Sequence, residues 1–181
     1  ICLVAPPGIV SKSTTAGVAM NLLRQVPGVK FGPDVVTWPA LVEAFAESTE
    51  GFDYAGAIHP MSAMTLESSE FGNLLDPQDK QMVDLLVSLW DGKQGTFQKS
   101  TKHSGSDVVE NPWINLIACT TPSWIAGNFP EYMIGGGFTS RTIFVYADAK
   151  AKFVAYPGLA VPSTLRKLEA DLVADLTHIA Q

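Results

Sequence analysis

"ICLVAPPGIVSKSTTAGVAMNLL", residues 1–23, decides how the rest of the chain is read. Ile1 to Ala5 form a continuous apolar run, the pattern of a strand buried on both faces of a parallel sheet. Pro6, Pro7 and Gly8 break that run. From residue 12 to 25 the apolar side chains Val18, Leu22 and Leu23 return at helical spacing, and Pro27 and Gly28 end the helix. The stretch therefore predicts strand, tight turn and helix in immediate succession.

The turn bears comparison with the phosphate-cradling pattern G-x-x-x-x-G-K-[ST], whose backbone N–H groups hold phosphates while Lys and a hydroxyl follow. Aligned on Lys12 and Ser13, Pro6 and Ser11 stand where the two glycines belong, with Gly8 inside the turn. The lysine and the hydroxyl are in place; the glycines are not. Taken alone, the same residues also fit a turn and helix start with no ligand.

The 181 residues, 46% hydrophobic and 17% charged, suffice for one globular domain with a sizeable core. The chain starts at Ile1, directly on a strand-like run, and is expected to be a fragment of a longer protein. It lacks the roughly 18 continuous apolar residues of a membrane span and a charged leader with a small-residue cleavage site. Cys2 and Cys119 each lie in an apolar run, as reduced, buried thiols of a cytoplasmic protein do. Three scattered histidines and no C-x-x-C give no zinc site. A net charge of −6 argues against a nucleic-acid binder that uses its whole surface, and leaves room for a local basic element.

Further along, "VKFGPDVVT" reads as a short strand and turn, and Thr37 as the N-cap of a helix burying Leu41, Val42, Phe45 and Ala46. Residues 56–75 read as two extended stretches broken at Pro60. The clearest helix spans Asp76 to Asp91, with Asp76 as N-cap, Pro77 first, Met82, Leu85, Leu86 and Leu89 buried, and Gly92 as the stop. "GTFQKSTKHSGSDVVE" predicts a β-hairpin, and "WINLIACTT" and "TIFVYA" predict strands of the buried type. Trp38, Trp90, Trp113 and Trp124 are expected to pack around the sheet. Residues 156–163 read as a linker to an amphipathic last helix with Leu165, Leu168, Leu172, Leu176 and Ile179 inward. Strands alternating with helices imply a three-layer α/β domain around a mainly parallel sheet, with residues 1–155 as its core and 156–181 as linker and packed helix.

In such sheets ligands sit outside the carboxyl ends of the strands. Four segments put polar residues there: the Lys12–Ser13 loop, "ESSEFGN" after "AMTL", Thr120–Thr121 after "INLIAC", and the turn "GGGFTSR" that brings Arg141 in before "TIFVYA". That order resembles the additional-strand P-loop ATPases, which include AAA+ proteins and viral ring helicases, over roughly residues 1–150. It is most similar to the helicase-like ATPase domains associated with primases in phages and mobile elements.

The resemblance implies a P-loop NTPase fold with an inserted β-hairpin, and ATP and Mg²⁺ as ligands. Lys12 would neutralise the β- and γ-phosphates, and Ser13, or the adjacent Thr14, would ligate Mg²⁺. N–H groups from Gly8 through Ser11 to Lys12 would complete the anion site. Glu70 would polarise the attacking water. Ser69 occupies the place of the expected aspartate, with Glu67 as its possible replacement beside Mg²⁺. Thr120 or Thr121 would help position the water, and Arg141 would reach a neighbouring subunit's γ-phosphate as an arginine finger. Lys99, Lys102 and His103 lie on the hairpin, in a stretch with no Asp or Glu between Asp91 and Asp107, and would contact DNA phosphates. The function so implied is an ATP-hydrolysing motor acting on single-stranded DNA as a homo-oligomeric ring, with a fused or associated primase and no membrane. The alternatives are a P-loop ATPase that remodels protein partners, and a degenerate nucleotide-binding or structural module without turnover.

Overall fold

The computed structural model describes residues 1–92, 95–101, 105–152, 154, 161 and 163–180. Its centre is a mixed five-stranded sheet of order β2-β3-β6-β1-β7. The strands are β1 (Cys2–Val4), β2 (Thr49–Tyr54), β3 (Ala57–Ser68), β6 (Trp113–Thr120) and β7 (Phe144–Tyr146). Strands β3, β6, β1 and β7 run parallel, and β2 pairs antiparallel with the first half of β3. The chain is thus α/β with a mostly parallel sheet.

Alternation along the strands sorts the two faces. Cys2, Val4, Met64, Leu66, Ile114 and Ala118 join the main apolar cluster, which α2 (Trp38–Glu47) and α4 (Lys80–Asp91) complete with Leu41, Phe45, Met82 and Leu89. The expected faces of both helices are borne out, since Leu41, Val42, Phe45 and Leu89 are wholly buried. On the other side α1 (Lys12–Leu23) lies against β6 and buries Ala16 and Met20 apart from that cluster.

Several local expectations need correction. Pro60 does not break the strand: β3 runs through it, because β6 begins to pair only at Ala63 and the missing N–H costs no ladder bond there. Its carbonyl accepts a bond from Asn111 Nδ2 at 2.8 Å. The cap of α4 is Asp79, whose Oδ1 accepts from the Met82 N–H at 3.1 Å; Asp76 instead closes the preceding turn through the Gln78 N–H at 2.8 Å. Pro77 therefore precedes the helix. The short strand near residue 31 shrinks to a single parallel bridge, Phe31 to Thr65.

The largest departure concerns the sheet's far edge. β7 was expected to be buried, yet Phe144, Val145 and Tyr146 are all exposed: β7 lies at the sheet's edge, with β1 as its one partner strand among the described residues, and its faces are left largely uncovered there. Helix α7 (Leu165–Ile179) forms where the periodicity places it, but it touches α1 and buries none of its residues, so Leu168, Leu172 and Ile179 stay exposed. Trp90 and Trp113 are likewise more than half exposed and do not pack into the sheet. Most of the 156–163 linker lies outside the described residues.

The predicted hairpin is present as β4 (Thr96–Thr101) paired with β5 (Gly105–Glu110). Its root is tied to β3 by the Glu110 N–H on Ser62 Oγ at 3.0 Å, and Val109 is fully buried. It therefore springs from the amino edge of the sheet, away from the Lys12 loop.

Candidate active site

The connection leaving β1 passes over β6 to reach β3, while the connection leaving β6 passes over β1 to reach β7. Helix α1, in the connection that leaves β1, lies on one face, while the connection from β6 to β7 adds Met133 and Phe138 to the main cluster on the other, and this leaves a crevice at the carboxyl ends of β1 and β6. The loop from Ala5 to Ser11 sits there. Its entry is fixed from both sides, by the Ala5 N–H on the Thr120 carbonyl at 3.2 Å and the Ala147 N–H on the Val4 carbonyl at 3.1 Å.

Gly8 turns the loop with a φ of 71°, in the left-handed region that a side chain disfavours, and its missing Cβ would meet open space. The glycine therefore serves the turn, not a close packing contact. Helix α1 begins at Lys12 with no side-chain cap and no acidic residue in its first turn. Thr15 already uses the Ser11 carbonyl through both N–H and hydroxyl, each at 2.9 Å. The helix thus presents N–H groups and the positive end of its dipole without a covering anion.

Lys12 itself stands at the end of the helix where a cation is unfavourable, by about 0.3–1 kcal/mol. A half-buried lysine there makes sense electrostatically when an anion joins it. Ser13 and Thr14 are exposed on the same turn. A hollow of about 160 Å³ lies beside them, lined by Ala5, Val10, Ser11, Lys12, Thr15 and Val145 among others.

The second part of the site comes from the end of β3. Leu66 and Ser68 are buried toward the main cluster, so Glu67 points to the α1 face, where Cys119 of β6 also points. Burial pushes the Cys119 thiol up; the Lys12 ammonium pulls it back and the Glu67 carboxylate raises it further. Both charges therefore act on the same buried thiol, with opposite signs. Cys2, on the neighbouring strand, is pushed up to about 11, chiefly by burial. Both cysteines are free and buried.

The remaining site residues distribute as follows. Ser69 and Glu70 are exposed, and the Glu70 carbonyl accepts from Ser68 Oγ at 2.6 Å, which fixes the backbone leading into α3 (Phe71–Leu74). Thr120 is buried beside Val4 and has the parity of Ala118, so it faces away from Glu67. Thr121 caps α5 (Pro122–Asn128), its Oγ1 accepting from the Trp124 N–H at 3.2 Å. Arg141, at the end of a 3₁₀ turn (Thr139–Arg141), lies at the amino edge of the sheet and binds Asp91. Lys99 is on β4 opposite Asp107; Lys102 and His103 lie outside the described residues. The structure thus brings Ser11, Lys12, Ser13, Thr14, Glu67 and Ser69 to one edge, and leaves Arg141 and the hairpin at the other.

Four further residues belong to this edge. Arg24, at the end of α1, donates from Nη2 to Glu67 Oε2 at 2.9 Å, and its guanidinium stacks 4.3 Å above the Phe31 ring. Arg24, Asp34, Glu67, Ser69 and Asn73 line a hollow of about 310 Å³. Nothing in the sequence links Arg24 to Glu67; their meeting depends on the bridge that sets Phe31 beside Thr65.

ATP and Mg²⁺ are chemically compatible with this edge. Uncovered N–H groups and Lys12 suit phosphates, and Ser13 and Glu67 supply the hard oxygens that Mg²⁺ takes. Among the described residues no three His, Cys, Asp or Glu side chains cluster to hold a metal, so Mg²⁺ would arrive with the phosphates and keep their oxygens and water as ligands. Among the same residues no helix is long and apolar enough to cross a membrane. No protein-family model matches the chain, and no curated protein is similar to it.

Proposed function

We propose that this chain is the ATP-hydrolysing motor domain of a ring-forming helicase that moves on single-stranded DNA in phage or mobile-element replication. One observation carries the reading: Lys12 stands at the uncapped start of α1, after a left-handed turn at Gly8, while Glu67 ends a parallel strand two places away and points to the face on which α1 packs. The strand between them, β6, takes the place of the additional strand in the family that the sequence resembles. It supports a P-loop fold more specifically than α/β alone.

The chemistry is transfer of the γ-phosphoryl group to water. Lys12 and the helix N–H groups hold the phosphates and spread their charge, while Ser13 and Glu67 fix Mg²⁺ beside them. Glu70, exposed at the same edge, would orient the water. The β4–β5 hairpin, with Lys99 on β4, is the element that meets DNA phosphates.

Hydrolysis of Mg·ATP by the protein, with and without single-stranded DNA and beside Lys12→Ala, tests this reading. Turnover that requires Lys12 and rises with DNA supports it; absence of Lys12-dependent turnover in an intact oligomer overturns it. A second reading, a remodeller of protein partners, is favoured by the β2–β3 ribbon, which projects from the amino edge with Tyr54 and Ile58 about 70% exposed. Turnover indifferent to DNA would select it.

A further inference from the structure

Glu67 is the carboxylate proposed above to face Mg²⁺, and in the unliganded protein it is already held. Arg24 contacts one oxygen, Oε2, at 2.9 Å, and the Phe31 ring supports the guanidinium from below at 4.3 Å. The pair is partly exposed, Arg24 at 46% and Glu67 at 24%, so the contact is within reach of ions from solvent. Beside it lies the hollow of about 310 Å³, whose wall includes a second carboxylate, Asp34.

We propose that Arg24 is a two-position latch on Glu67: it holds the carboxylate in the unliganded protein and passes to Asp34 when Mg²⁺ claims Glu67. The inference rests on the nucleotide reading of the Lys12 loop. It goes beyond it by naming the residue that controls the Mg²⁺-facing carboxylate.

The argument is one of competing charges. A guanidinium on Glu67 weakens its attraction for a divalent cation, and Mg²⁺ brought in by the phosphates repels the guanidinium in turn. Release requires both room and a new partner. The hollow supplies the room, and Asp34 supplies a carboxylate on the same wall. Arg24 therefore acts through Glu67 and is a positioning residue.

The latch makes opposite predictions for its two sides. Arg24→Gln frees Glu67 and lowers the Mg²⁺ concentration that half-saturates ATP binding by about 2- to 5-fold, the range of a partly exposed ion pair. Asp34→Asn removes the place to which Arg24 retreats and raises that concentration by a similar factor. Arg24→Lys, which keeps the charge and loses the planar stack, lies between wild type and Arg24→Gln. A general disturbance of the hollow would move all variants in one direction.

The experiment is a Mg²⁺ titration of fluorescent ATP-analogue binding to the whole chain, for wild type, Arg24→Gln, Arg24→Lys, Asp34→Asn and Lys12→Ala. Opposite shifts for Arg24→Gln and Asp34→Asn establish the latch. Lys12-sensitive binding with no Mg²⁺ shift, or with shifts in one direction, overturns the latch and leaves the nucleotide reading standing. Binding that no longer depends on Lys12, or no binding at all, overturns the nucleotide reading and the latch with it.

Discussion

Arg141 grips Asp91 as a fork, Nε to Oδ1 at 2.7 Å and Nη2 to Oδ2 at 2.9 Å, joining the end of α4 to the turn before β7. Its third nitrogen, Nη1, donates to the Gly137 carbonyl at 2.8 Å. In a single chain this arginine is an internal clamp at the edge opposite Lys12. A finger role would require the clamp to open toward a neighbouring subunit.

The clamp predicts that Arg141→Ala and Asp91→Ala each lower the melting temperature, and that the double variant melts little below the worse single one. Arg141→Lys recovers little, because an ammonium cannot reproduce the planar fork. Thermal denaturation of the four proteins checks this. Loss of hydrolysis in Arg141→Ala with unchanged melting would instead assign the residue to the neighbour's nucleotide.

Gly32 predicts a steric failure. A Cβ there would come 2.3 Å from Leu66 Cδ2 and 2.7 Å from Met64 Sδ, both in side chains of the buried cluster. The close approach lets the Gly32 N–H bond the Thr65 carbonyl at 3.0 Å and fastens the segment after α1 to β3. Gly32→Ala should destabilise by about 1–3 kcal/mol, the range for overpacking a filled core. Because that segment carries Phe31 under Arg24, urea unfolding of the variant should be accompanied by weaker Arg24 stacking, seen as Phe31 ring shifts by NMR.

How much of this was legible in the sequence follows from the range of each signal. Helices α2 and α4 were readable because their burial repeats every three to four residues, and Leu41, Phe45, Met82 and Leu89 lie where that repeat puts them. β1, β6 and the β4–β5 hairpin were readable from apolar runs and turn residues. β2 was missed because its hairpin turns at Ala55 and Gly56, both with positive φ, where Asn-Gly or Asp-Gly is the usual signal. The sides of α7 and β7 were misjudged because periodicity shows which face is apolar and not whether anything covers it. At the site, Lys12 and Ser13 are adjacent in sequence and were found together. The Arg24–Glu67 contact joins residues 43 apart and exists only through tertiary packing.

Cys2 predicts a pH dependence. Its thiol is pushed from 9.0 up to about 11, mainly because burial disfavours the thiolate. A folded-state value above the unfolded one means that the unfolded chain loses its proton first as pH rises. The stabilising contribution is therefore complete below pH 9 and is lost as pH climbs toward 11, amounting to about 2–3 kcal/mol. Chemical unfolding of wild type and Cys2→Ala across that window isolates the effect: the variant should show a shallower fall, whatever its stability at neutral pH.

Lys12 carries the most discriminating prediction, because its two roles have opposite signs. As a cation at the start of α1 it opposes the helix dipole, so Lys12→Ala should leave the unliganded protein as stable as wild type, or more stable by about 0.3–1 kcal/mol. In its proposed role as phosphate ligand it would be indispensable, so the same variant should lose the rise in melting temperature that Mg·ATP is expected to give the wild type. At about 100 times the dissociation constant that rise corresponds to about 2.7 kcal/mol, well above the dipole effect. Differential scanning fluorimetry with and without Mg·ATP separates the two. A variant less stable than wild type without nucleotide would mean that Lys12 is part of the fold's own bonding, and the uncapped helix start would then need no anion to explain its lysine.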